Sequence, residues 1–391
     1  MIAFTFPGQG SQKPGMGSAW MDHPSWELVE EAEAAADRDI AHLLLHAEAD
    51  ELKATRNSQL VTFVTSLVIL DAVERLGVEP GVVAGHSLGE YTALVASGAL
   101  AFEDGVQLVV TRGEAMAEAA EQHPGTMAAV IGLDDDKVEL ACARVDEDVW
   151  VANYNAPGQV VIAGSVDGVA AGSTSAKDLG AKKVLPMAVS GAFHTPYMAP
   201  ARDRLRAALA RADLRAPEQP VYANVDAMAH AGGDEWPTLL GAQLCRPVRW
   251  RQTLHHLEEA GATTFVELGA GTVLTGMAKR TVTGCRTLSV GTPDELDTLL
   301  ETLALPRAGA VGVHEGEHLF ATERVVVSPA SGVFHASDGT GTGRQLAPGD
   351  VLGTVGSEDV RSPFAGVIMG MLTEDGERVS PQEPIAWLRV G

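Results

Sequence analysis

The sequence is poor in cysteine, in basic residues and in long apolar runs, and each shortage removes a class of protein. Three cysteines in 391 residues, Cys142, Cys245 and Cys285, are far apart and odd in number. They provide neither a disulfide frame nor a metal-ligand cluster, and they suit reduced thiols in the cytoplasm. Lysine and arginine number 28 against 52 aspartates and glutamates, a formal net charge of −24. That charge argues against nucleic acid and anionic membrane as general partners, and an acidic protein partner would need a local basic patch. The longest apolar stretch, Leu60 to Val73, is interrupted by Thr62, Thr65, Ser66 and Asp71. It is too short and too polar to span a bilayer and reads as a buried helix. Met1 leads directly into Ile2-Ala3-Phe4-Thr5-Phe6, without the basic start and cleavage site of a signal peptide. Lysine is absent after Lys279.

What is present is an ordinary globular balance, 46% hydrophobic and 20% charged, on a length that fits two or three domains. A short apolar strand opens the chain and runs into a glycine-rich loop, Gly8-Gln9-Gly10-Ser11-Gln12. A buried helix is expected over 60–76 and a buried strand at Val82-Val83-Ala84. A helical pattern follows from Glu90 to Ala96, with Gly98 as its stop signal. The stretch from Met127 to Leu185 reads strand, helix, strand, strand, helix, strand, with Asn155-Ala156-Pro157-Gly158 as the turn between its middle strands. That order is the one of a ferredoxin-like unit and marks an inserted subdomain at about 125–190. Helices are then expected over Ala199–Ala212 and Trp250–Ala260, and strands at Val221-Tyr222-Ala223 and Phe265–Leu268.

After a small, flexible linker at 305–315 the texture changes to short strands and turns. Ser328-Pro329-Ala330-Ser331-Gly332-Val333-Phe334 recurs 34 residues on as Ser362-Pro363-Phe364-Ala365-Gly366-Val367-Ile368. Leu346-Ala347-Pro348-Gly349-Asp350-Val351-Leu352 recurs 33 residues on as Val379-Ser380-Pro381-Gln382-Glu383-Pro384-Ile385. Two related all-β halves predict a small pseudo-symmetric β-sandwich.

Gly85-His86-Ser87-Leu88-Gly89 stands between the predicted strand and helix. A serine hydroxyl needs exposure, a base and oxyanion donors before it becomes a nucleophile. The flanking glycines permit the sharp turn that lifts Ser87 out of the sheet, and the N–H of Leu88 then faces the developing oxyanion. Gly-x-Ser-x-Gly is a weak motif alone, but its strand–turn–helix context fits. The base must be a histidine distant in sequence. His86 adjoins Ser87 and reads as a packing residue. Position leaves two readings for His194, in Gly191-Ala192-Phe193-His194-Thr195-Pro196: the base, or a surface histidine. Arg112 taken alone reads as a solvated helix charge.

Residues 1–300 resemble the malonyl-CoA:acyl carrier protein transacylases of fatty-acid and polyketide synthesis. The matching motifs run in order: Phe6-Pro7-Gly8-Gln9-Gly10-Ser11-Gln12, Gly85-His86-Ser87-Leu88-Gly89-Glu90-Tyr91, Thr111-Arg112-Gly113, Asn155-Ala156-Pro157-Gly158-Gln159, Gly191-Ala192-Phe193-His194, Gln243-Leu244 with Pro247-Val248-Arg249-Trp250, and Glu267-Leu268-Gly269-Ala270-Gly271. The resemblance implies an α/β fold: an α/β-hydrolase-like core with an inserted ferredoxin-like subdomain, over 1–304. It implies Ser87 as nucleophile and His194 as base. The N–H groups of Gln9 and Leu88 would form the oxyanion hole, and Arg112 would bind the malonyl carboxylate with its planar fork. Met116, Asn155, Phe193 and Gln243 would complete the substrate-binding set, with Gln243 holding His194 through its main-chain carbonyl. Phe193 would disfavour a branched acyl group such as methylmalonyl. The partners implied are malonyl-CoA, as a coenzyme A thioester substrate, and a phosphopantetheinylated acyl carrier protein, with no bound cofactor, no metal, no nucleic acid and no membrane. The competing readings are a serine thioesterase or hydrolase, which usually adds a buried acid in the order Ser…Asp…His, and an inactive acyltransferase-like scaffold.

Residues 316–391 resemble a biotinyl/lipoyl carrier domain, a small all-β barrel of two related halves. Such domains carry their prosthetic group on a lysine at a hairpin tip. The corresponding hairpin here, around Gly356-Ser357-Glu358-Asp359, has none. The module is therefore expected to be unmodified, and a role in recognising a partner protein is the expectation. Residues 305–391 carry six basic and eleven acidic side chains, and Glu358 and Asp359 alone read as a solvated turn.

Overall fold

The computed structural model describes residues 1–303, 323–337, 339–373, 375–381 and 383–389. The chain divides into two compact units, Met1–Glu315 and Gly316–Gly391. The expected linker at 305–315 lies outside the described residues.

The first unit is a mixed α/β structure with strands β1 (Ile2–Phe6), β2 (Val82–Gly85), β3 (Thr126–Ile131), β4 (Val149–Ala156), β5 (Gln159–Gly164), β6 (Lys183–Pro186), β7 (Val221–Tyr222), β8 (Ala229–His230), β9 (Thr264–Leu268) and β10 (Arg286–Val290). They form two sheets. The larger has six strands in the order β10-β9-β1-β2-β7-β8. All its pairs are parallel except β7 with the edge strand β8. Strands β1, β2 and β9 are apolar and buried along almost their whole length, as a sheet covered on both faces requires. The cover on one side is the helix Thr55–Glu74, buried over most of its circumference, polar positions included, and packed on the helix Phe102–Gln122.

The smaller sheet, β4-β5-β3-β6, is antiparallel throughout. The helices Asp135–Ala143 and Val166–Asp178 connect its outer and inner strands. The second begins at Ser165, whose hydroxyl accepts the N–H of Gly168 at 2.9 Å. Strand β4 continues through Asn155 and Ala156, further than the sequence pattern suggests, so the turn to β5 shrinks to Pro157-Gly158. Pairing across the turn outweighs the turn propensity of Asn155 and keeps that side chain on the sheet. The helix expected to reach Ala212 ends at Leu209.

Parallel pairing of β1 with β2 sets Phe6 opposite Gly85. Both strands therefore deliver their following loops to the same end of the sheet, and the chain connections diverge beside β1, from β1 to β2 on one side and from β9 to β10 on the other. Open α/β sheets bind ligands at such a point. The turn after β2 is tight. A Cβ on Gly85 would lie 1.8 Å from the carbonyl oxygen of Gly89, and one on Gly89 would lie 2.0 Å from that of Phe6. Only glycine lets the strand, the turn and the first loop approach this closely.

The second unit is β-rich. Its strands are β11 (Glu323–Val327), β12 (Gly332–Ala336), β13 (Gln345–Leu346), β14 (Val351–Val355), β15 (Glu358–Arg361), β16 (Gly366–Met371), β17 (Arg378–Val379) and β18 (Pro384–Arg389). They make two four-stranded sheets, β11-β18-β16-β13 and β15-β14-β12-β17. Val326, Phe334, Leu352, Ile368, Ile385 and Leu388 lie in a separate core. The sequence repeat has a counterpart in hydrogen bonds. Ser328 Oγ donates to Ala330 O at 2.7 Å, and Ser362 Oγ donates to Phe364 O at 2.8 Å. Asp350 accepts the N–H of Ala347, and Glu383 accepts that of Ser380, three residues back in each half. Ser328 N–H reaches Glu383 O while Ser362 N–H reaches Asp350 O, both at 2.8 Å.

No helix among the described residues is long and apolar enough to cross a membrane. The close approach at the β2 turn gives a direct test of the packing. Gly85→Ala should lose about 3 kcal/mol or more of stability, read as a fall in the urea midpoint of the first unit. A midpoint matching the parent chain would show that the turn can relax.

Candidate active site

Ser87 occupies the turn between β2 and the helix Gly89–Ala96 with φ = 52°, a left-handed backbone that a residue with a Cβ adopts only under constraint. The constraint is visible at both of its peptide groups. Its N–H donates to Asn224 Oδ1 at 2.6 Å, and its carbonyl accepts from Gln243 Nε2 at 2.7 Å. Asn224 in turn donates from Nδ2 to Gly85 O at 2.7 Å. The side chain is thereby projected into a cleft of about 410 Å³ lying between the two sheets of the first unit.

His194 meets Ser87 there. Its Nε2 lies 2.8 Å from Ser87 Oγ, and its Nδ1 lies 2.8 Å from the main-chain carbonyl of Gln243. A carbonyl only accepts, so Nδ1 carries the hydrogen and Nε2 presents its lone pair to the serine hydroxyl. The histidine also has a left-handed backbone, φ = 61°. Burial holds its pKa down to about 3; the Gln243 carbonyl opposes that shift, and the Arg112 charge adds to it. The ring is neutral at ordinary pH.

Arg112 is buried, 1% exposed, on the inner face of the helix Phe102–Gln122. The reading of this residue as a solvated helix charge is overturned: its helix packs against Thr55–Glu74, and the guanidinium enters the cleft wall. Nη1 donates to Gln59 Oε1 at 2.6 Å, and Nη2 donates to Gln243 Oε1 at 2.8 Å and to Ser87 Oγ at 3.1 Å. Its Cζ stands 5.4 Å from the Tyr91 ring centroid. Nε has no hydrogen-bond partner among the described residues. A guanidinium has five N–H donors; three are bonded through the two Nη groups and the Nε donor is buried, so one Nη1 donor is uncommitted.

Gln9, Leu88, Met116, Asn155 and Phe193 all line the cleft. Leu88 stands at the N-terminus of the helix Gly89–Ala96, where main-chain N–H groups and the helix dipole favour negative charge. Asn155 Oδ1 accepts from His86 Nε2 at 2.9 Å, and the His86 ring packs edge-on to Trp250. Met116 Sδ accepts from Gln59 Nε2 at 3.3 Å, which fixes the Gln59 oxygen toward Arg112. Gln243 was expected with the substrate-binding residues, but it is fully buried and stands behind the cleft wall. Sequence reasoning missed Gln59, Asn224 and the carboxylate of Glu90. The first two lie outside the motifs read for function, and Glu90 lies inside one with no role to distinguish it.

The sequence comparisons agree with this geometry. Residues 3–305 match the family model described as the acyl transferase domain. A malonyl CoA-acyl carrier protein transacylase of Bacillus subtilis is 39% identical over 307 residues, covering 77% of this chain and 97% of that protein. The solved structure of an acyl-carrier-protein S-malonyltransferase from Burkholderia pseudomallei superposes with a TM-score of 0.74 at 42% identity, covering 77% of this chain and 99% of that one. A malonyl-transacylase solved in complex with its type II PKS acyl-carrier protein gives a TM-score of 0.74 at 36% identity, again over 77% of this chain and 99% of its own. The chain belongs to the acyl transferase family, among the malonyl CoA-acyl carrier protein transacylases.

Proposed function

We propose that the chain transfers a malonyl group from malonyl-CoA to the phosphopantetheine thiol of an acyl carrier protein, through an ester on Ser87. The observation that carries this reading is the position of Ser87 Oγ, held between the lone pair of His194 Nε2 and the guanidinium of Arg112. The names of the relatives support the substrate pair.

Ser87 Oγ attacks the thioester carbonyl while its proton passes to His194 Nε2. The N–H groups of Gln9 and Leu88 stabilise the oxyanion. The tetrahedral species collapses with loss of the coenzyme A thiolate, which takes the proton from His194. The carrier thiol then gives its proton to His194 and attacks the Ser87 ester, and Ser87 leaves as the hydroxyl. Protons balance in both halves, and no bound cofactor enters either. Arg112 holds the free carboxylate of the acyl group, using the Nη1 donor that the protein leaves uncommitted. Phe193 bounds the space beside the α-carbon. The histidine has a carbonyl partner where a triad has a carboxylate, so the catalytic pair is a dyad.

We read 1–304 as the acyltransferase unit. The largely parallel sheet with the Ser87 turn at its end supports an α/β-hydrolase-like core. The β4-β5-β3-β6 order supports a ferredoxin-like insertion at about 125–190. We read 316–391 as a lysine-free biotinyl/lipoyl-like barrel that helps to recognise a partner. Its support is the paired hydrogen bonds of the two halves and the two-residue turn Gly356-Ser357 between β14 and β15. Cysteines without disulfide partners suit a cytoplasmic location.

Four outcomes test this. Incubated with malonyl-CoA, the parent chain should gain the mass of one malonyl group, and Ser87→Ala should gain none. Arg112→Ala should lower malonyl transfer by about 100-fold or more while changing acetyl transfer far less; an unaltered malonyl preference would refute the carboxylate role. Because the folded pKa of His194 lies well below its ordinary value, the base is already neutral throughout mild acid. Acyl-enzyme formation followed with acetyl-CoA should therefore show no loss centred near pH 6.5. Finally, a chain ending at Pro306 should transfer malonyl groups to a small thiol normally and to the physiological carrier more slowly. Unchanged kinetics with the carrier would eliminate the recognition role of the second unit.

A further inference from the structure

Glu90 is a carboxylate with no place in the steps above, yet it is fully buried, 0% exposed, in the first turn of the helix that follows Ser87. Oε1 accepts the main-chain N–H of Asn224 at 3.0 Å, and Oε2 accepts from Gln243 Nε2. Both oxygens thus face donors. The charged and titratable groups acting on it are Arg112 from the helix Phe102–Gln122, Asp226 from the loop after β7 and the neighbouring Tyr91.

The Gln243 amide has a fixed set of partners. Its NH₂ donates to Ser87 O and to Glu90, and its oxygen accepts from Arg112. The reversed amide would set its oxygen against the Glu90 carboxylate and its NH₂ against the guanidinium. An ionised carboxylate accepts and cannot donate, so it forbids that reversal. The Ser87 carbonyl and the Arg112 guanidinium oppose the reversal as well, so a protonated or amide-substituted residue at 90 leaves the amide facing the same way but removes the one charged acceptor that holds its NH₂.

We propose that Glu90 is a positioning residue for carboxylate selection: its charged oxygen anchors the Gln243 amide, and through that amide it holds Arg112 aimed at the carboxylate of the acyl group. The inference rests on the reading of Arg112 given above. Glu90 is also the anion that partly balances the buried Arg112 charge. Burial pushes its carboxyl up to about 7, against the pull of Asn224, Gln243 and Arg112. The sign follows: above that value Glu90 is ionised and its charge-assisted bond holds the Gln243 amide hardest, and below it that bond weakens and the hold on Arg112 loosens. The ratio of malonyl to acetyl reactivity isolates this effect, because changes at Ser87 and His194 act on both substrates.

The experiment measures kcat/KM for acyl-enzyme formation with malonyl-CoA and acetyl-CoA, from about pH 5 to about pH 9, for the full chain, Glu90→Gln and Arg112→Ala. In the parent chain the malonyl-to-acetyl ratio should fall about 10- to 100-fold as pH drops through the Glu90 titration, the range set by a hydrogen bond to a charged group. In Glu90→Gln the ratio should be low and independent of pH. A Glu90→Gln ratio that keeps the parent value and pH dependence, while Arg112→Ala loses its preference, overturns this inference alone. An Arg112→Ala chain that retains the preference overturns the reading of Arg112 and this inference with it. Should Glu90→Gln fail to fold, the parent profile decides by itself: a ratio constant over the whole range overturns the proposal.

Discussion

The left-handed backbone of Ser87 is the constraint around which the first unit is arranged. A residue with a Cβ adopts this conformation at a cost of about 1–2 kcal/mol, and it does so here because its peptide groups are clamped from two directions. Asn224 takes the N–H and Gln243 takes the carbonyl. Those two residues come from chain segments far downstream of the turn, so the nucleophile is not set until the whole unit has folded. Gln243 then extends the constraint outward: its main chain orients His194 and its side-chain oxygen holds Arg112. One buried amide residue therefore couples Ser87, His194 and Arg112.

The parts legible in sequence are those with local signals. The glycines around Ser87 announce a turn because only they permit the close approach between β2, the following helix and the end of β1. The antiparallel sheet between β3 and β6 could be read from alternating strand and helix patterns, and the second unit from its repeat. The parts that were not legible depend on contacts across the fold. Asn224 bonds to Ser87 over a separation of 137 residues and to Glu90 over 134. Nothing in the residues around Asn224 marks it. Arg112 taken alone is harder still, since a charged residue in the middle of a helix normally faces water; the family motif around it pointed to the site, and its place against Thr55–Glu74 shows the burial. Glu90 reads locally as an acid that complements the helix dipole, and that reading conceals its bonds to Asn224 and Gln243.

The second unit shows a different economy. Its two halves use the same serine and the same acidic side chain at matching turns, and the serine of each half bonds to the acidic turn of the other. The halves are thus stapled reciprocally through main-chain groups, which leaves the hairpin between β14 and β15 out of the framework. The Gly356-Ser357 turn of that hairpin lies outside the core around Phe334 and Leu352.

The carbonyl partner of His194 has a consequence for what the ester on Ser87 will react with. Burial keeps the ring a weak base, and the Gln243 carbonyl opposes that effect less than a full carboxylate charge would. A weak base activates an acidic nucleophile far better than a reluctant one. A thiol ionises near pH 8.5 and water near 15.7, a gap of about seven powers of ten. In the proposed reaction a carrier thiol therefore needs far less help from His194 than water does, which favours transfer to sulfur over hydrolysis.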